Sequence, residues 1–426
     1  MTDASQRRLQ QNPPGPLVGL RVLELADEKG QFCGKLLGDL GADVIKIEPP
    51  GGEMTRTVGP FFDDIPHPDR SLSFWHYNTS KRGITLNLET ADGRQLFRRL
   101  AASADVILET FSPGYLPRLG LGYDSLSASN PGLVMCSLTP FGQSGPWRDY
   151  ATTDLLHMAA GGQMASCGYD ASDVPDAPPI APGGGNAWHM GCNYAYVGIM
   201  AALVYRTVSG HGQYIDVSIH DACALTTEAA IPTYIYRNEG VIRQTGRHHA
   251  AEPTPPAQFR SKDGKYVLAL VAGRLTPRYV KDLAELLDSY GMAGDLKDPK
   301  YEDPKVVEAN TDHIINGLVA NFIASLPQEE VYHAAQSRGF TWGAVYTSEE
   351  LLQDGHLQDR EFWKEVEHPE LGRSFIYPGE PAIYNGSPWR IAGRAPLVGE
   401  HNRDIFCGEL GLSPQDLVVL AEQRVI

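Results

Sequence analysis

The sequence predicts an α/β protein in which a large domain is joined by a smaller α+β domain. Three observations favour this fold. Strand, helix and strand patterns follow one another twice within the first 110 residues, a further strand covers 132–138, and the sequence texture changes near residue 240. Alternation of this kind is typical of a parallel sheet with helical crossovers.

The first strand–helix–strand unit covers residues 20–48. Residues 20–26 and 42–48 have the pattern of strands, and 31–40 places apolar residues at helical spacing. Gly41 ends the predicted helix at the position that favours a left-handed cap. The unit lacks Gly-x-Gly-x-x-Gly, so a dinucleotide fingerprint is not supported.

The second unit repeats this order. A strand ends at residue 88, a helix over 90–104 has Thr90 as its predicted cap, and a strand covers 105–109. Each strand is followed by a loop rich in glycine, proline and polar residues. In open α/β sheets such loops bind ligands.

A long apolar helix is predicted after Gly183–Gly185, with residues 194–205 apolar on nearly every face and therefore in the core. Its N-terminus offers free N–H groups to an anion or a carbonyl ligand. A glycine hinge that lets the helix pack closely is the alternative. No carboxylate lies between Pro182 and Asn193.

The remaining sequence predicts that the smaller domain covers 240–345 and that residues 346–426 return to the large domain. The large domain covers 17–225, after a disordered leader over 1–16. A strand over 265–272 belongs to the smaller domain. The last segment is predicted as a helix over 351–362, a proline-rich extended stretch to about residue 399, and a helix over 413–423.

Composition excludes several function classes. The formal charge of −16 disfavours binding to nucleic acid or to an anionic membrane. No apolar run reaches the length of a bilayer span, and the N-terminus has no signal-peptide pattern. The six cysteines form no Cys-x-x-Cys pair, so neither a metal site nor a disulfide framework is expected. We expect a cytoplasmic protein.

An ordered set of motifs resembles the family III CoA-transferases. The matching stretches are residues 17–24, 40–52, 78–87, 105–122, 141–146, 210–218 and 395–402. The resemblance implies a Rossmann-like large domain with the smaller α+β domain inserted, and subunits interlocked like linked rings. It also implies coenzyme A or acyl-CoA as a substrate rather than a permanently bound cofactor. By position it assigns the CoA contacts to Lys81, Thr110, Phe111 and Arg118.

The same resemblance implies an aspartate nucleophile at the start of the long helix. The acid would attack an acyl-CoA thioester, while glycine N–H groups stabilise the oxyanion. Its position falls at Trp188, among Asn186, Ala187 and His189. The nearest acids are upstream, in a loop expected to be exposed: Asp170, Asp173 and Asp176.

Three explanations of the tryptophan in place of the aspartate are open. In the first, the chain is a non-catalytic subunit beside a catalytic paralogue, as in family members that transfer CoA from succinyl-CoA to benzylsuccinate. Alternatively, it is a self-sufficient racemase, isomerase or lyase with His189 or Asp154 as base. The family's racemases place a His-Asp pair where this chain has Thr153 and Asp154. The third explanation is a CoA-binding protein without chemistry. We favour the first, because a tryptophan at the nucleophile's position would fill the acyl pocket.

Overall fold

The computed structural model describes residues 14–269 and 274–426. Most of the leader predicted over 1–16, and the end of the strand predicted over 265–272, therefore lie outside the described residues. Within the described part, no helix is both long enough and apolar enough to cross a membrane.

A parallel sheet of six strands confirms the predicted α/β fold. The strands are β1 (Arg21–Leu25), β2 (Asp43–Glu48), β3 (Lys81–Thr85), β4 (Val106–Glu109), β5 (Val134–Thr139) and β6 (Tyr214–Ser218). Their order is β3–β2–β1–β4–β5–β6, the Rossmann order. Val22 of β1 is in register with Val44 of β2 and with Val106 of β4. Most residues of β1 to β5 are buried, as expected when helices cover both faces.

The helices up to the end of the sheet are α1 (Gln31–Asp39), α2 (Leu72–Tyr77), α3 (Ala91–Ala101), α4 (Tyr115–Arg118), α5 (Tyr123–Ser127), α6 (Asp154–Ala160), α7 (Gln163–Ser166), α8 (Asn186–Ser209) and α9 (Ile219–Leu225). Two predicted ends are confirmed. Thr90 caps α3 by accepting a hydrogen bond from the Gly93 N–H group, and Gly41 follows α1 with a φ of +99°.

The chain divides into two compact units. Of the described residues, the first comprises 14–161, 182–226 and 355–426, and it contains the parallel sheet. The second comprises 162–181 and 227–354. The domain ranges predicted from the sequence did not include 162–181 with the smaller domain.

The second unit is built on an antiparallel sheet of β7 (Gln258–Arg260), β8 (Tyr266–Ala269) and β9 (Trp342–Ala344). Its core contains Trp342 and Phe322. Its further helices are α10 (Ala230–Arg237), α11 (Pro277–Asp288), α12 (Pro304–Ala309), a π-helical turn (His313–Val319), α13 (Ala320–Ser325), α14 (Gln328–Gln336) and α15 (Ser348–Leu351).

The C-terminal segment differs from its prediction. The helix predicted over 351–362 is wrong, because the chain breaks into α15 and α16 (Gly355–Asp359). The predicted extended stretch contains an antiparallel hairpin of β10 (Trp363–His368) and β11 (Arg373–Pro378). The predicted terminal helix is confirmed as α17 (Pro414–Glu422), preceded by a π-helical turn (Asp404–Glu409). Ser413 and Asp416 form a capping box at the start of α17.

Helix α8 is the element for which the prediction from the sequence differs most from the structure. Gly191, Ala195 and Ile199 are buried against the rest of the first unit. The opposite face is exposed, although its side chains are apolar too: Tyr194, Val197, Ala201, Val204, Tyr205 and Val208. The prediction that this helix is buried on nearly every face is therefore wrong for the single chain.

Candidate active site

The N-terminus of α8 lies in the first compact unit, with the carboxyl-end loops of the parallel sheet. Gly184 and Gly185 enter the helix with φ values of +95° and +68°, a conformation that favours glycine. Cys192, in the second turn, donates a hydrogen bond from Sγ to the Lys29 carbonyl in the loop after β1, at 3.1 Å. The helix start is thereby fixed beside the edge of the sheet where α/β proteins bind ligands.

Asp154 caps this helix from another element. Its Oδ1 accepts a hydrogen bond from the Ala187 N–H group at 2.8 Å. Asp154 is the first residue of α6, and the hydroxyl of Thr153 caps α6 itself. The positive end of α8 is therefore already occupied by a carboxylate of the same chain, and no acid lies in its own first turn. The predicted role of Asp154 as a base stays a prediction.

Trp188 follows directly and lies against a cluster of rings. Its indole meets the His157 imidazole edge-on at 5.7 Å between ring centroids. His157 is fully buried, and its Nδ1 has no hydrogen-bond partner among the residues that the structure describes. Burial, with a smaller effect of His220, lowers the pKa of His157 to about 4, so this ring is neutral. Phe141 packs on both histidines, at 5.0 and 5.4 Å.

His189 lies on a different side of the first turn. Its Nε2 is 3.0 Å from the Tyr77 hydroxyl, and its ring meets Phe32 edge-on at 4.8 Å. Burial lowers the pKa of His189, and the nearby Asp154 opposes this shift. A neutral imidazole that is hydrogen-bonded to a phenol has the composition of an acid–base pair.

Lys81, the first residue of β3, does not present its ammonium group at the surface. Its Nζ lies 2.7 Å from Glu24 Oε2 and donates to the Gln31 carbonyl and to Asn78 Oδ1, both at 2.9 Å. Burial lowers the pKa of Lys81 to about 8, against the opposing effect of Glu24. The predicted contact of Lys81 with a CoA phosphate stays a prediction, but this ammonium group already has three partners within the protein.

The other three predicted CoA contacts lie together after β4. Thr110 is buried, and its hydroxyl donates to Asp27 Oδ1 at 2.9 Å. The Phe111 ring packs on Tyr115 at 4.5 Å, and the Arg118 guanidinium lies over the same tyrosine at 5.3 Å. Arg118 is 67% exposed and 3.6 Å from Glu89. A half-exposed ring beside an accessible guanidinium can receive a base and a phosphate.

Sequence reasoning missed several polar groups of this region. Buried Glu109 ends β4, and the His157 ring that contacts Trp188 lies 6.3 Å from the His220 ring. Glu109 looked like an ordinary strand residue, and the two histidines are 63 positions apart in the sequence. The sequence contained only a weak indication that Asp154 acts as a cap, namely that it follows a threonine, a residue type that favours the N-cap of a helix. Among the described residues, no group of three or more His, Cys, Asp or Glu side chains could hold a metal ion.

Comparison with known proteins places this geometry in context. A family model described as CoA-transferase family III matches residues 17–402. The chain is 33% identical to succinyl-CoA–D-citramalate CoA-transferase of Chloroflexus aurantiacus, covering 98% of this chain and 99% of that protein. It is 34% identical to subunit BbsE of succinyl-CoA:(R)-benzylsuccinate CoA-transferase of Thauera aromatica, covering 95% and 98%.

Two further matches are to a named subunit and to a solved structure. The chain is 31% identical to the β subunit of succinyl-CoA–L-malate CoA-transferase of Chloroflexus aurantiacus, covering 96% of this chain and 98% of that protein. A crystal structure of a CAIB/BAIF family protein from Brucella suis superposes with a TM-score of 0.78 at 28% identity. That match covers 93% of this chain and 99% of the other.

Proposed function

The chain belongs to CoA-transferase family III, and from this premise we propose that it is a non-catalytic subunit working beside a catalytic paralogue. The enzyme would move CoA between carboxylic acids, with a CoA thioester as substrate and no resident cofactor. Succinyl-CoA as the CoA donor and a dicarboxylate as acceptor are supported by relatives named for D-citramalate, benzylsuccinate and L-malate.

One observation carries the non-catalytic role: the start of α8 holds a tryptophan where the family resemblance requires an aspartate. A carboxylate nucleophile must have a free oxygen to attack the thioester. Trp188 has no such atom, and Asp154, the acid in contact with this turn, holds the Ala187 N–H group with Oδ1. A capping carboxylate is oriented by the helix that it stabilises, and this supports our proposal that Asp154 has a structural role rather than that of the missing nucleophile.

The other acids considered from the sequence belong to the second compact unit. Asp170 pairs with Arg247 at 3.0 Å and also accepts a hydrogen bond from the Thr245 N–H group. Asp173 accepts from the Thr245 hydroxyl, and Asp176 is exposed. The first two carboxylates therefore have structural partners within their own unit. This supports a partner subunit as the source of the nucleophile.

The proposed partner would cover the exposed face of α8. Apolar side chains in a row on one helix are typical of a subunit interface. Val197, Val204 and Val208 are 59%, 63% and 86% exposed in the single chain. Two relatives are named as subunits, which supports a paralogue as the partner. An interlocked arrangement, as the family resemblance implies, would bury this face.

A second candidate function is a self-sufficient acyl-CoA racemase or isomerase. The observation in its favour is the His189–Tyr77 pair, a neutral imidazole 3.0 Å from a phenol hydroxyl. Such a pair could abstract and return a proton next to a thioester carbonyl. This candidate does not need a carboxylate nucleophile. The third reading, a CoA-binding protein without chemistry, would show neither activity.

The deciding experiment uses the chain alone, a paralogue with an aspartate at the position of Trp188, and the two co-expressed. CoA exchange between succinyl-CoA and a dicarboxylate is expected only where the paralogue is present. The acyl or CoA adduct should be trapped on the paralogue's aspartate. Substituting His189→Gln in this chain should change the rate of the co-expressed enzyme less than twofold.

Two results would contradict the proposal. CoA exchange by this chain alone would show that it carries its own nucleophile. Exchange of the α-proton of an acyl-CoA with deuterium from solvent by this chain alone, lost in H189Q and Y77F, would establish the racemase reading. Trp188→Phe serves as the matched control, since it keeps an aromatic ring and adds no acid.

A further inference from the structure

A cavity of about 550 Å³ is lined only by residues of the second compact unit. One wall comes from residues 165–177 and the other from residues 241–243 and Pro253. The four residues assigned to CoA and the start of α8 all belong to the first unit, and none of them lines this cavity. Its volume is within the range of small-molecule sites, about 300–1,000 Å³. The residues proposed for the transfer reaction therefore leave this cavity without a role.

The walls of the cavity carry exposed apolar side chains. Tyr169 and Val174 lie on one wall and Ile242 on the other, and all three are exposed in the single chain. Single apolar side chains on a surface are common, whereas several of them in one concave site indicate a binding surface. These walls favour a ligand that has an apolar body.

The charges of the lining residues favour an anion. Among the described residues that line the cavity, Arg243 is the only lysine or arginine. It is half-buried, and its guanidinium has no hydrogen bond or ion pair within the described chain. Asp170 also lines the cavity, but its carboxylate is paired with Arg247 at 3.0 Å. Asp176, the other lining acid, is exposed, so water and salt screen its charge. The guanidinium of Arg243 is therefore available to a ligand.

The backbone on both sides of Arg243 is held in place. The Ile242 N–H group donates to the Ala250 carbonyl at 2.8 Å, and Gln244 is buried. The stem of Arg243 packs on Gly168, where an added Cβ would lie 3.1 Å from the arginine Cδ. A charged group on a fixed backbone binds its ligand at a smaller entropic cost.

We propose that this cavity binds a small organic acid, with the carboxylate paired with Arg243 and an apolar body between the two walls. A guanidinium can donate two parallel N–H bonds to a carboxylate. An ammonium ligand would instead meet the same cation without compensation. A segment of a partner chain is the other conceivable occupant of an apolar surface, but the unpaired guanidinium and the volume of the cavity favour a small acid. The proposed site goes beyond CoA transfer, because it lies in the unit without the assigned CoA contacts.

The test compares 4-phenylbutyrate with the uncharged 4-phenylbutanamide on the full-length protein. Isothermal titration calorimetry should show saturable binding of the acid to one site per chain, and at least tenfold weaker binding of the amide. Arg243→Gln removes the charge but keeps a polar side chain, and it should weaken binding of the acid at least tenfold. Arg278→Gln is the matched control, because Arg278 is exposed and belongs to the second unit but does not line the cavity.

Val174→Asp tests the site by a second route, since it places a carboxylate in the wall and leaves Arg243 in the chain. It should weaken binding of the acid at least fivefold. Val345→Asp should leave the affinity unchanged, because Val345 is a similarly exposed valine of the same unit that does not line the cavity.

Three results would overturn the proposal: no saturable binding of the acid, equal binding of acid and amide, or unchanged binding in both R243Q and V174D. Displacement of 4-phenylbutyrate by CoA would also overturn it, by assigning the cavity to the CoA site. Binding that persists at saturating CoA supports a site of its own. These outcomes do not depend on whether the chain transfers CoA.

Discussion

The contacts that single side chains already make within the protein determine which of them are available to a ligand at the candidate site. Asp154 holds the N-terminus of α8, Lys81 is paired with Glu24, and Thr110 is bonded to Asp27. Each has a residue type that could act on a ligand, yet each has an internal partner. Arg118 and Phe111 keep exposed surface and are better placed to bind one.

Replacing Asp154 should destabilise the protein without affecting transfer. In D154A the helix loses its capping carboxylate, at a cost of about 1–2 kcal/mol in the free energy of unfolding. D154N keeps an acceptor oxygen and should cost less. Denaturant unfolding measures the difference, with the exposed Asp149→Asn as control. A loss of activity in D154N at unchanged stability would instead indicate that Asp154 is a catalytic base.

Arg118 should contribute directly to CoA affinity. A charge-assisted hydrogen bond to a phosphate contributes about 1.5–3 kcal/mol, so R118A should raise the Kd for CoA roughly tenfold or more. Arg278→Ala is the matched control, because that arginine is 91% exposed, lies beside Asp282 and belongs to α11 of the second unit. Calorimetry on the purified chain gives both values. Equal affinity in the two variants would remove Arg118 from the proposed CoA site.

Glu109 should make stability depend on pH. Its pKa is raised to about 7 in the folded protein, above the usual value near 4.5, so the folded state binds more protons between these pH values. The free energy of unfolding therefore falls as pH rises from about 4.5 to 7. Relative to E109Q, the wild type should lose up to about 3 kcal/mol over that range. Parallel pH profiles for the two proteins would contradict this.

Among the elements, helix α8 has one face buried against its own unit and the opposite face exposed. Small residues such as Gly191 and Ala195 let the helix lie close to its own unit, where a Cβ on Gly191 would come within 2.8 Å of Ile219. The other face carries valines and tyrosines that stay exposed within the described chain. Apolar composition alone could not separate these two faces, because both are apolar.

A charge placed on the exposed face of α8 should prevent subunit association. Val204→Asp would bury an unpaired carboxylate in the proposed interface, at a cost of several kcal/mol. Light scattering after size exclusion should then show a smaller assembly than the wild type. Val418→Asp is the matched control, since Val418 is 58% exposed on α17. If both variants keep the wild-type mass, this face is not an interface.

The whole first unit depends on a C-terminal return of the chain. Asn402 Oδ1 accepts a hydrogen bond from the Thr85 N–H group of β3 at 2.9 Å, and His401 Nδ1 accepts from Gly83 N–H at 3.1 Å. Ile405 and Phe406 are fully buried in the core formed by the early strands. Residues more than 300 positions apart therefore stabilise one unit.

Truncating Phe406 should destabilise this unit strongly. Removing a fully buried phenylalanine side chain costs about 3–5 kcal/mol, so F406A should unfold at a much lower denaturant concentration. Val419→Ala on the half-exposed face of α17 should cost about 0.5 kcal/mol or less. Equal midpoints for the two variants would show that the C-terminal return is dispensable for the core.

The sequence by itself determined the alternation of strands and helices, the Thr90 cap and the missing acid at Trp188, because local patterns encode each of these. Its ordered motifs also identified the family. Only the tertiary structure decided that Asp154 caps α8, that Lys81 pairs with Glu24 and that one face of α8 is exposed. These depend on residues brought together from distant positions, where burial and pairing determine which charges are available. Local propensity also did not predict that the 351–362 helix breaks and that a hairpin follows. The hairpin depends on distant residues, because β10 and β11 pack through Val366 and Tyr377 against Phe74 and Trp75.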